Sequence, residues 1–431
     1  MAEPDGAKGS GRLGIFGNRG FVDYFMSYIS SRAAFQVANV GLVWAVYAIT
    51  KSAIDLAVVG VANTVVTLIV TLPAGVWIDR FDRIKLYFLS NAVSTACLVA
   101  LAYFGTGPGF SLLGIVAVIV PWAAMGELYR STSYAVVPEL VPAESLSNAN
   151  GIAQSGLQVA TAMSAVLGGG LIVAAGVLST YVFGVAGYAF ATVFSATLLR
   201  RSKPKPKPEA PASALRQGMV REIGEGFRWL LTQRGLLWLS ILALVFNFLF
   251  GIPTYFIVIY VREALHASAF YYAAILAVFL TGMAAGSLLA GRLPRVLAYA
   301  GKVNILAWGF VGGVFLALMG AAPVLSVALL ASAGMGSGIG FGVNIWLTAA
   351  QGVVPAEMRG RYFAIDGLLS FVGGPPSIAV GGILIALLGI TNVFLLSGGL
   401  ILAFSVMFVF VKSLWVLDGR AKGAVSAVPQ G

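Results

Sequence analysis

The sequence predicts an all-α membrane protein of twelve transmembrane helices, arranged as two six-helix bundles related by a parallel pseudo-two-fold repeat. Three observations carry this prediction. Of the 431 residues, 59% are apolar and only 10% charged, with a mean hydropathy of +0.92, whereas a soluble domain carries about 25% charged residues. The apolar residues fall into continuous runs long enough to cross a bilayer, which takes roughly 20 residues of helix. The second half of the chain repeats short motifs of the first.

The runs, in order, are Phe21–Thr50, Ile54–Ile78, Ile84–Phe104, Phe110–Tyr134, Leu146–Ala175 and Leu178–Leu199, then Leu236–Arg262, Ser268–Leu293, Lys302–Gly320, Val324–Ala350, Tyr362–Leu388 and Thr391–Lys412. Several exceed the minimum, so tilt or extension beyond the bilayer is expected. A barrel would show short segments of alternating polarity, and these runs do not alternate. Residues 1–20 are polar with no small-residue cleavage site after an apolar core, so the first run reads as an uncleaved span. The expected organisation is a cytoplasmic arm (1–20), an N-terminal bundle (21–199), a basic cytoplasmic linker (200–235), a C-terminal bundle (236–412) and a cytoplasmic tail (413–431). The linker opens with Lys-Pro alternation at 203–208, a polyproline-like spacer. Leu215, Met219, Ile223, Phe227 and Leu230 then recur at helical spacing, which predicts an amphipathic surface helix.

The formal charge of +11 is a matter of placement. All of the 27 Lys and Arg except Lys51, Arg262 and Arg32 fall in the arm, the even-numbered loops, the inner end of the fourth span, the linker or the tail. The positive-inside rule then puts both ends in the cytoplasm. The basic excess orients the chain and contacts anionic lipid; it is no nucleic-acid footprint. Cys97, the single cysteine, sits mid-span and forms no internal disulfide or metal cage.

At an offset of 213 residues, Val141-Pro142-Ala143-Glu144 recurs as Val354-Pro355-Ala356-Glu357. Gly168-Gly169-Gly170-Leu171-Ile172 aligns with Gly381-Gly382-Ile383-Leu384-Ile385, and Gly176 with Gly389. Parallel repeats of this kind mark a transporter architecture with substrate near mid-membrane and alternating access. Gly75-Val76-Trp77-Ile78-Asp79-Arg80-Phe81-Asp82-Arg83 resembles the loop motif G-x-x-x-D-R-x-x-R of the major facilitator superfamily. Its counterpart, Gly291-Arg292-Leu293-Pro294-Arg295, keeps both arginines and loses the acid. Pro138-Glu139-Leu140-Val141-Pro142 with Asn148-Ala149-Asn150-Gly151 resembles the drug, siderophore and macrolide exporter branch. The antiporter motif ending G-P-x-x-G-G keeps only its last glycines, since Ser164-Ala165 stand where Gly-Pro would be.

Few polar residues remain inside the spans. Arg32 lies well within the first, where a charge costs several kcal/mol unless paired or hydrated, and Gln36 and Asn39 continue its face. Arg32 either joins helices or snorkels, or else lines a cavity, where it attracts an anionic group or holds a carboxylate whose protonation switches the state. Glu127 and Arg130 stand at i and i+3, close enough to pair on one face. The resemblance implies that an acid at the inner end of the fourth span, Glu127 or Glu139, links to Arg80 or Arg83 when the inner gate closes. Asp366, one turn into the eleventh run, is either an acid favoured by the helix dipole or a proton carrier. Asp23 falls at the inner membrane edge, where solvation accounts for it. The resemblance gives Asp79 the task of docking on the eleventh helix near Gly360, where exposed amides favour an anion.

Neutral candidates for the cavity are Asn63, Thr67, Gln154, Gln158, Thr161, Asn247, Asn344 and Gln351; each joins helices or contacts substrate. Gly75, Asp79, Arg80, Arg83, Arg292 and Arg295 form the expected gating set. Gly334, Gly338 and Gly342, with Gly336 and Gly340 beside them, predict close helix packing in the tenth span, with hinge bending as the alternative. Trp44, Trp122, Trp308 and Trp346 either anchor at interfaces or line a pocket, and His266 reads as solvated. No G-x-x-x-x-G-K-[ST] loop and no metal-ligand spacing occurs, so neither a cofactor nor a resident metal is expected. The expectation is a monomeric, non-enzymatic secondary transporter of the cell membrane. It exchanges protons for an amphipathic small molecule, with a metabolite or metal uniporter or importer, and a lipid flippase, as alternatives.

Overall fold

The computed structural model describes residues 14–142, 145–201, 224–293 and 299–412, apart from the side chains of a few positions that include Asp79, Arg80, Asn148, Arg359 and Arg361. In this set twelve helices are long and apolar enough to cross a membrane. They are α1 (Arg19–Thr50), α2 (Ala53–Arg80), α3 (Arg83–Phe104), α4 (Leu112–Leu140), α5 (Leu146–Ala175) and α6 (Val177–Arg201). The second half supplies α7 (Arg234–Ile259), α8 (Ala269–Arg292), α9 (Ala300–Ala321), α10 (Leu325–Val353), α11 (Ala356–Val372 and Gly374–Leu388) and α12 (Ile390–Val409). Helices are forced here, because lipid offers no partner for a free backbone N–H or C=O.

The ends of these helices are set by local chemistry. Asn18 accepts the amides of Gly20 and Phe21 at 2.9 and 3.2 Å and donates to the Leu140 carbonyl at 2.6 Å, tying the start of α1 to the end of α4. Asp82 caps α3 by accepting the Ile84 and Lys85 amides, both at 2.9 Å. Asp82 stands at a variable position of the loop motif, between Arg80 and Arg83, and capping accounts for it. Gly373 divides α11, and Pro375 and Pro376 open its second piece, where missing amides cost nothing. α7 finishes in a π turn (Tyr260–Ala264), and α9 carries a π stretch (Ile305–Val311). Of the expected linker helix, residues 224–232 are helical with Leu230 buried and Phe227 exposed; Leu215, Met219 and Ile223 lie outside the described residues.

The 213-residue repeat is visible as geometry. Gly176 and Gly389 end α5 and α11 at φ +76° and +80°, and each donates its amide to the carbonyl four residues earlier, Ile172 or Ile385, at 2.9 Å. Only glycine takes that φ without strain. Asn91 and Asn304, also 213 apart, are both buried, and each donates back one turn, to Tyr87 O at 3.1 Å and Ala300 O at 2.8 Å.

The helices pack into two compact units. The first comprises the chain up to Leu42 together with Val66–Ala210, and the second comprises Val43–Val65 with Pro211–Gly431. At one end of the first unit lies an aromatic cluster. Tyr24, Tyr28, Tyr87 and Tyr129 stack with centroids 5.1–6.2 Å apart, and Tyr24 and Tyr129 donate their hydroxyls to Ser133 O and Tyr28 O. In the second unit α8 and α10 touch backbone to backbone: a Cβ at Gly286 would lie 2.0 Å from Ser337 O, and one at Gly340 2.0 Å from Met283 O. Gly334, Gly338 and Gly342 turn instead towards Phe315, Ala307 and Trp308 of α9. The two glycine faces of α10 therefore seat it against two neighbours at once, which is a packing role.

Candidate functional site

In the first unit the polar face of α1 is half-buried at Arg32, Gln36 and Asn39. The Arg32 guanidinium lies 5.4 Å from the Phe35 ring centroid, and Phe35 in turn lies 5.2 Å from Trp122 of α4. Arg32 Nε and Trp122 Nε1 are buried with no hydrogen-bond partner among the described residues. Ser31, the neighbour of Arg32, is buried and donates to Asn91 of α3 at 2.6 Å, which fixes this stretch of α1. The result is a cation seated on one aromatic ring, backed by a second, with a donor left over. Such a site suits an anionic group or a flat π-rich molecule.

Three ion pairs lie among the described residues of this unit. Arg130 reaches back to Glu127 with two bonds, Nε to Oε2 at 2.9 Å and one terminal nitrogen to Oε1 at 2.6 Å, and Ser131 adds a third donor. The Glu127 side chain is 2% exposed and that of Arg130 48%. Arg83 meets Glu139 at 3.1 Å rather than Glu127. Asp23 is buried instead of solvated and lies 3.4 Å from Arg201 at the end of α6. Gln154 and Gln158 of α5 are exposed, and Thr161 turns its hydroxyl back to Leu157 O at 2.8 Å. The side chains of Asp79 and Arg80, and all of Arg295, lie outside the described residues, as does Gly75 beyond its helical backbone; Arg292 is exposed.

The second unit holds one acid of a different kind. Asp366 is buried and accepts a 2.7 Å hydrogen bond from Ser240 of α7. Tyr362, one turn earlier on α11, and Trp346 of α10 have buried donors, Oη and Nε1, with no partner among the described residues. The helix-dipole account of Asp366 fails, because α11 starts at Ala356 and the dipole acts only over the first turn. Asn247 is exposed, and Asn344 donates to Ser287 at 3.1 Å. Trp308 donates to Ile339 O at 3.0 Å, a structural contact. Sequence reading singled out Arg32 and Asp366 but missed Ser240, Tyr362 and Asn91. The offset that aligns the glycines also aligns Asn91 with Asn304 and Ser27 with Ser240, so part of that signal was present.

Three comparisons fit this architecture. Macrolide efflux protein A of Streptococcus pyogenes is 22% identical over 354 residues, 80% of this chain and 84% of that protein. Multidrug efflux pump Tap of Mycolicibacterium fortuitum is 23% identical over 408 residues, covering 91% and 96%, and that of Mycobacterium tuberculosis 25% over 397 residues, covering 88% and 90%. Among solved structures, a nucleoside transporter superposes with a TM-score of 0.71 at 11% identity, over 90% of this chain and 99% of that one. A bacterial homologue of the iron transporter ferroportin in an inward-facing state superposes with the same score at 14% identity, over 90% and 98%. These last two share the fold. The family model described as Major Facilitator Superfamily matches residues 24–378, so the repeat, the twelve spans and the loop motif belong together: the chain is a member of the Major Facilitator Superfamily, a multi-pass membrane transporter of small molecules.

Proposed function

We propose that this transporter exports amphipathic small molecules across the cell membrane by alternating access, driven by proton exchange. The observation that carries the reading is Arg32, a cation within a span, seated on Phe35, which itself packs on Trp122, with a buried Nε that has no partner among the described residues. A ligand with an acceptor and a flat apolar body satisfies that nitrogen and covers the rings. The similarity to macrolide and multidrug efflux proteins supports export rather than uptake. Gln36, Asn39, Gln154 and Gln158, and Asn247 and Asn344 in the second half, extend the polar contacts of the pathway. Asp366 carries the proton. Its carboxylate is buried against a hydroxyl, so gain and loss of one proton changes what α7 and α11 must accommodate between them. Glu127 and Arg130 neutralise each other and tune the first half.

Asp79, Arg80, Arg83, Arg292 and Arg295 form the gate on the cytoplasmic side, with both termini on that side and basic loops against anionic lipid. The protein works as a monomer. Asp79→Asn is expected to leave substrate affinity within a few-fold and to lower turnover, because a latch shifts populations of states.

The test is a ligand-induced thermal-shift screen of purified protein across macrolides, cationic drugs and siderophores, repeated with Arg32→Ala. Stabilisation reports occupancy, and the hits should weaken or vanish in the variant. Hits that persist unchanged would remove Arg32 from the site. Proton movement in vesicles on drug addition separates exchange from uniport, which moves none.

A further inference from the structure

The second unit takes in Val43–Val65, the last turns of α1, the first turns of α2 and the hairpin between them. With twelve consecutive spans this hairpin lies on the side opposite the termini, together with the α7–α8 connection. What ties the two together is specific. Tyr47 is buried and donates its hydroxyl to a carboxylate oxygen of Glu263, in the π turn that ends α7. Beside it, the Arg262 guanidinium lies 4.9 Å from the centroid of Trp44, and a terminal nitrogen of Arg262 is buried without a partner among the described residues. Trp44 also lies 6.2 Å from Tyr272 of α8.

A second contact backs the first. Tyr255 of α7 donates its hydroxyl to Leu56 O of α2 at 3.1 Å. Its ring fills the space beside Gly60, where an added Cβ would sit 2.3 Å away. On the same stretch, Gly382 of α11 leaves no room for a Cβ, which would lie 2.6 Å from that of Ala57. Small residues thus let α2 settle on α7 and α11, while two polar contacts hold α1. The polar contacts are the reversible kind. A hydroxyl–carboxylate bond at an exposed glutamate and a cation on an indole each contribute a modest free energy and reform with water when broken.

We propose that Tyr47–Glu263 and Trp44–Arg262 form a latch that holds the outer end of the α1–α2 hairpin on α7, and that its release opens the outer side during transport. This rests on the alternating-access reading but on no particular substrate. π turns recur at functional sites because they offset a helix by one residue. Here the π turn brings Arg262 and Glu263, neighbours in sequence, to the two aromatic residues of α1, Trp44 and Tyr47, which are three apart.

The experiment is a distance measurement by double electron–electron resonance in lipid vesicles. Spin labels go on Ile54→Cys and Ser268→Cys, with the buried Cys97 replaced by Ala. Without any drug, Tyr47→Phe and Glu263→Ala should each raise the long-distance population about three- to tenfold, the range expected for losing one ordinary hydrogen bond at a solvent-exposed group. The double variant should go no further than the larger single one, because both remove the same bond. Gly60→Ala, which wedges Tyr255 away without touching a charge, should move the population the same way. Tyr47→Phe removes a single oxygen, and Glu263→Ala reads the bond from its exposed partner, so a folding failure of one leaves the other. An unchanged distance distribution in all three variants overturns the latch. Since no substrate is used, that result leaves drug export standing, and failure of the drug screen leaves the latch standing.

Discussion

The two halves share a backbone plan but spend their polar residues differently. Positions repeated at the 213-residue offset are those that end or seat helices: Gly176 with Gly389, Val141 with Val354, Asn91 with Asn304. The charges do not repeat. Arg32 aligns with Val245, Glu127 with Gly340, Arg130 with Val343, and Asp366 with Ala153. Ser27 and Ser240 show how one position is put to two uses. Ser27 donates to a backbone carbonyl, Ala191 O, at 3.0 Å, whereas Ser240 donates to Asp366. Among its described residues the first half holds three ion pairs and Arg32 inside a span, and the second half pairs backbones through glycine and keeps a carboxylate on a hydroxyl. Duplication set the scaffold, and divergence set the chemistry.

The largest expected effect breaks the glycine contact of the second half. Gly286→Val should prevent recovery of monodisperse protein, since the new side chain would overlap Ser337 O and backbone has nowhere to go. Gly126→Ala and Gly151→Ala in the first half, where nothing lies within 4 Å of an added Cβ, should keep the melting temperature within a few degrees. Size-exclusion profiles in detergent compare them directly. Equal behaviour would mean that α8 and α10 do not rely on close approach.

Much of this was legible in the sequence. The spans appear because a bilayer demands long apolar runs, and α5, from Leu146 to Ala175, starts and stops where its run does. The Glu127–Arg130 pair was legible because i, i+3 spacing fixes it within one helix. What the sequence could not carry was contact between helices distant along the chain. Nothing in the spacing of Ser240 and Asp366, of Arg83 and Glu139, or of Tyr47 and Glu263 announces that they meet. Asp23 misled for the same reason: its position suggested solvent, and only α6 brings Arg201 to it. The roles of Gly334 and Gly336 also separate only once α8 and α9 are placed on different sides of α10.

The next effect contrasts the two acids. Glu127→Gln strips the partner from Arg130, and since that arginine is half exposed the loss should be about 1–2 kcal/mol, below the cost of breaking a fully buried pair. Asp366→Asn keeps an acceptor for Ser240, so its stability should change by less than about 1 kcal/mol. Transport should reverse the order. Asp366→Asn is expected to abolish drug-driven proton movement in vesicles while leaving drug binding measurable, and Glu127→Gln to slow it. Normal proton movement in Asp366→Asn would assign the proton to another group.

The smallest effect tests the repeat itself. Asn91 and Asn304 occupy equivalent positions and make the same bond back to their own helix, so by symmetry Asn→Ala should cost the same in both. Their surroundings say otherwise. Asn91 accepts the Ser31 hydroxyl at 2.6 Å and approaches Ser27 at 3.4 Å, so its loss strands a buried donor next to Arg32. Asn304 has a buried Oδ1 with no partner among the described residues, so truncation there removes a group already uncompensated. Leaving a buried donor unsatisfied costs about 1–3 kcal/mol, whereas deleting an unsatisfied acceptor recovers part of its desolvation penalty. Asn91→Ala should therefore melt several degrees below Asn304→Ala. It should also weaken ligand binding, because Ser31 and Asn91 hold the stretch of α1 that aims Arg32. Equal melting points would mean that both asparagines serve only their own helices.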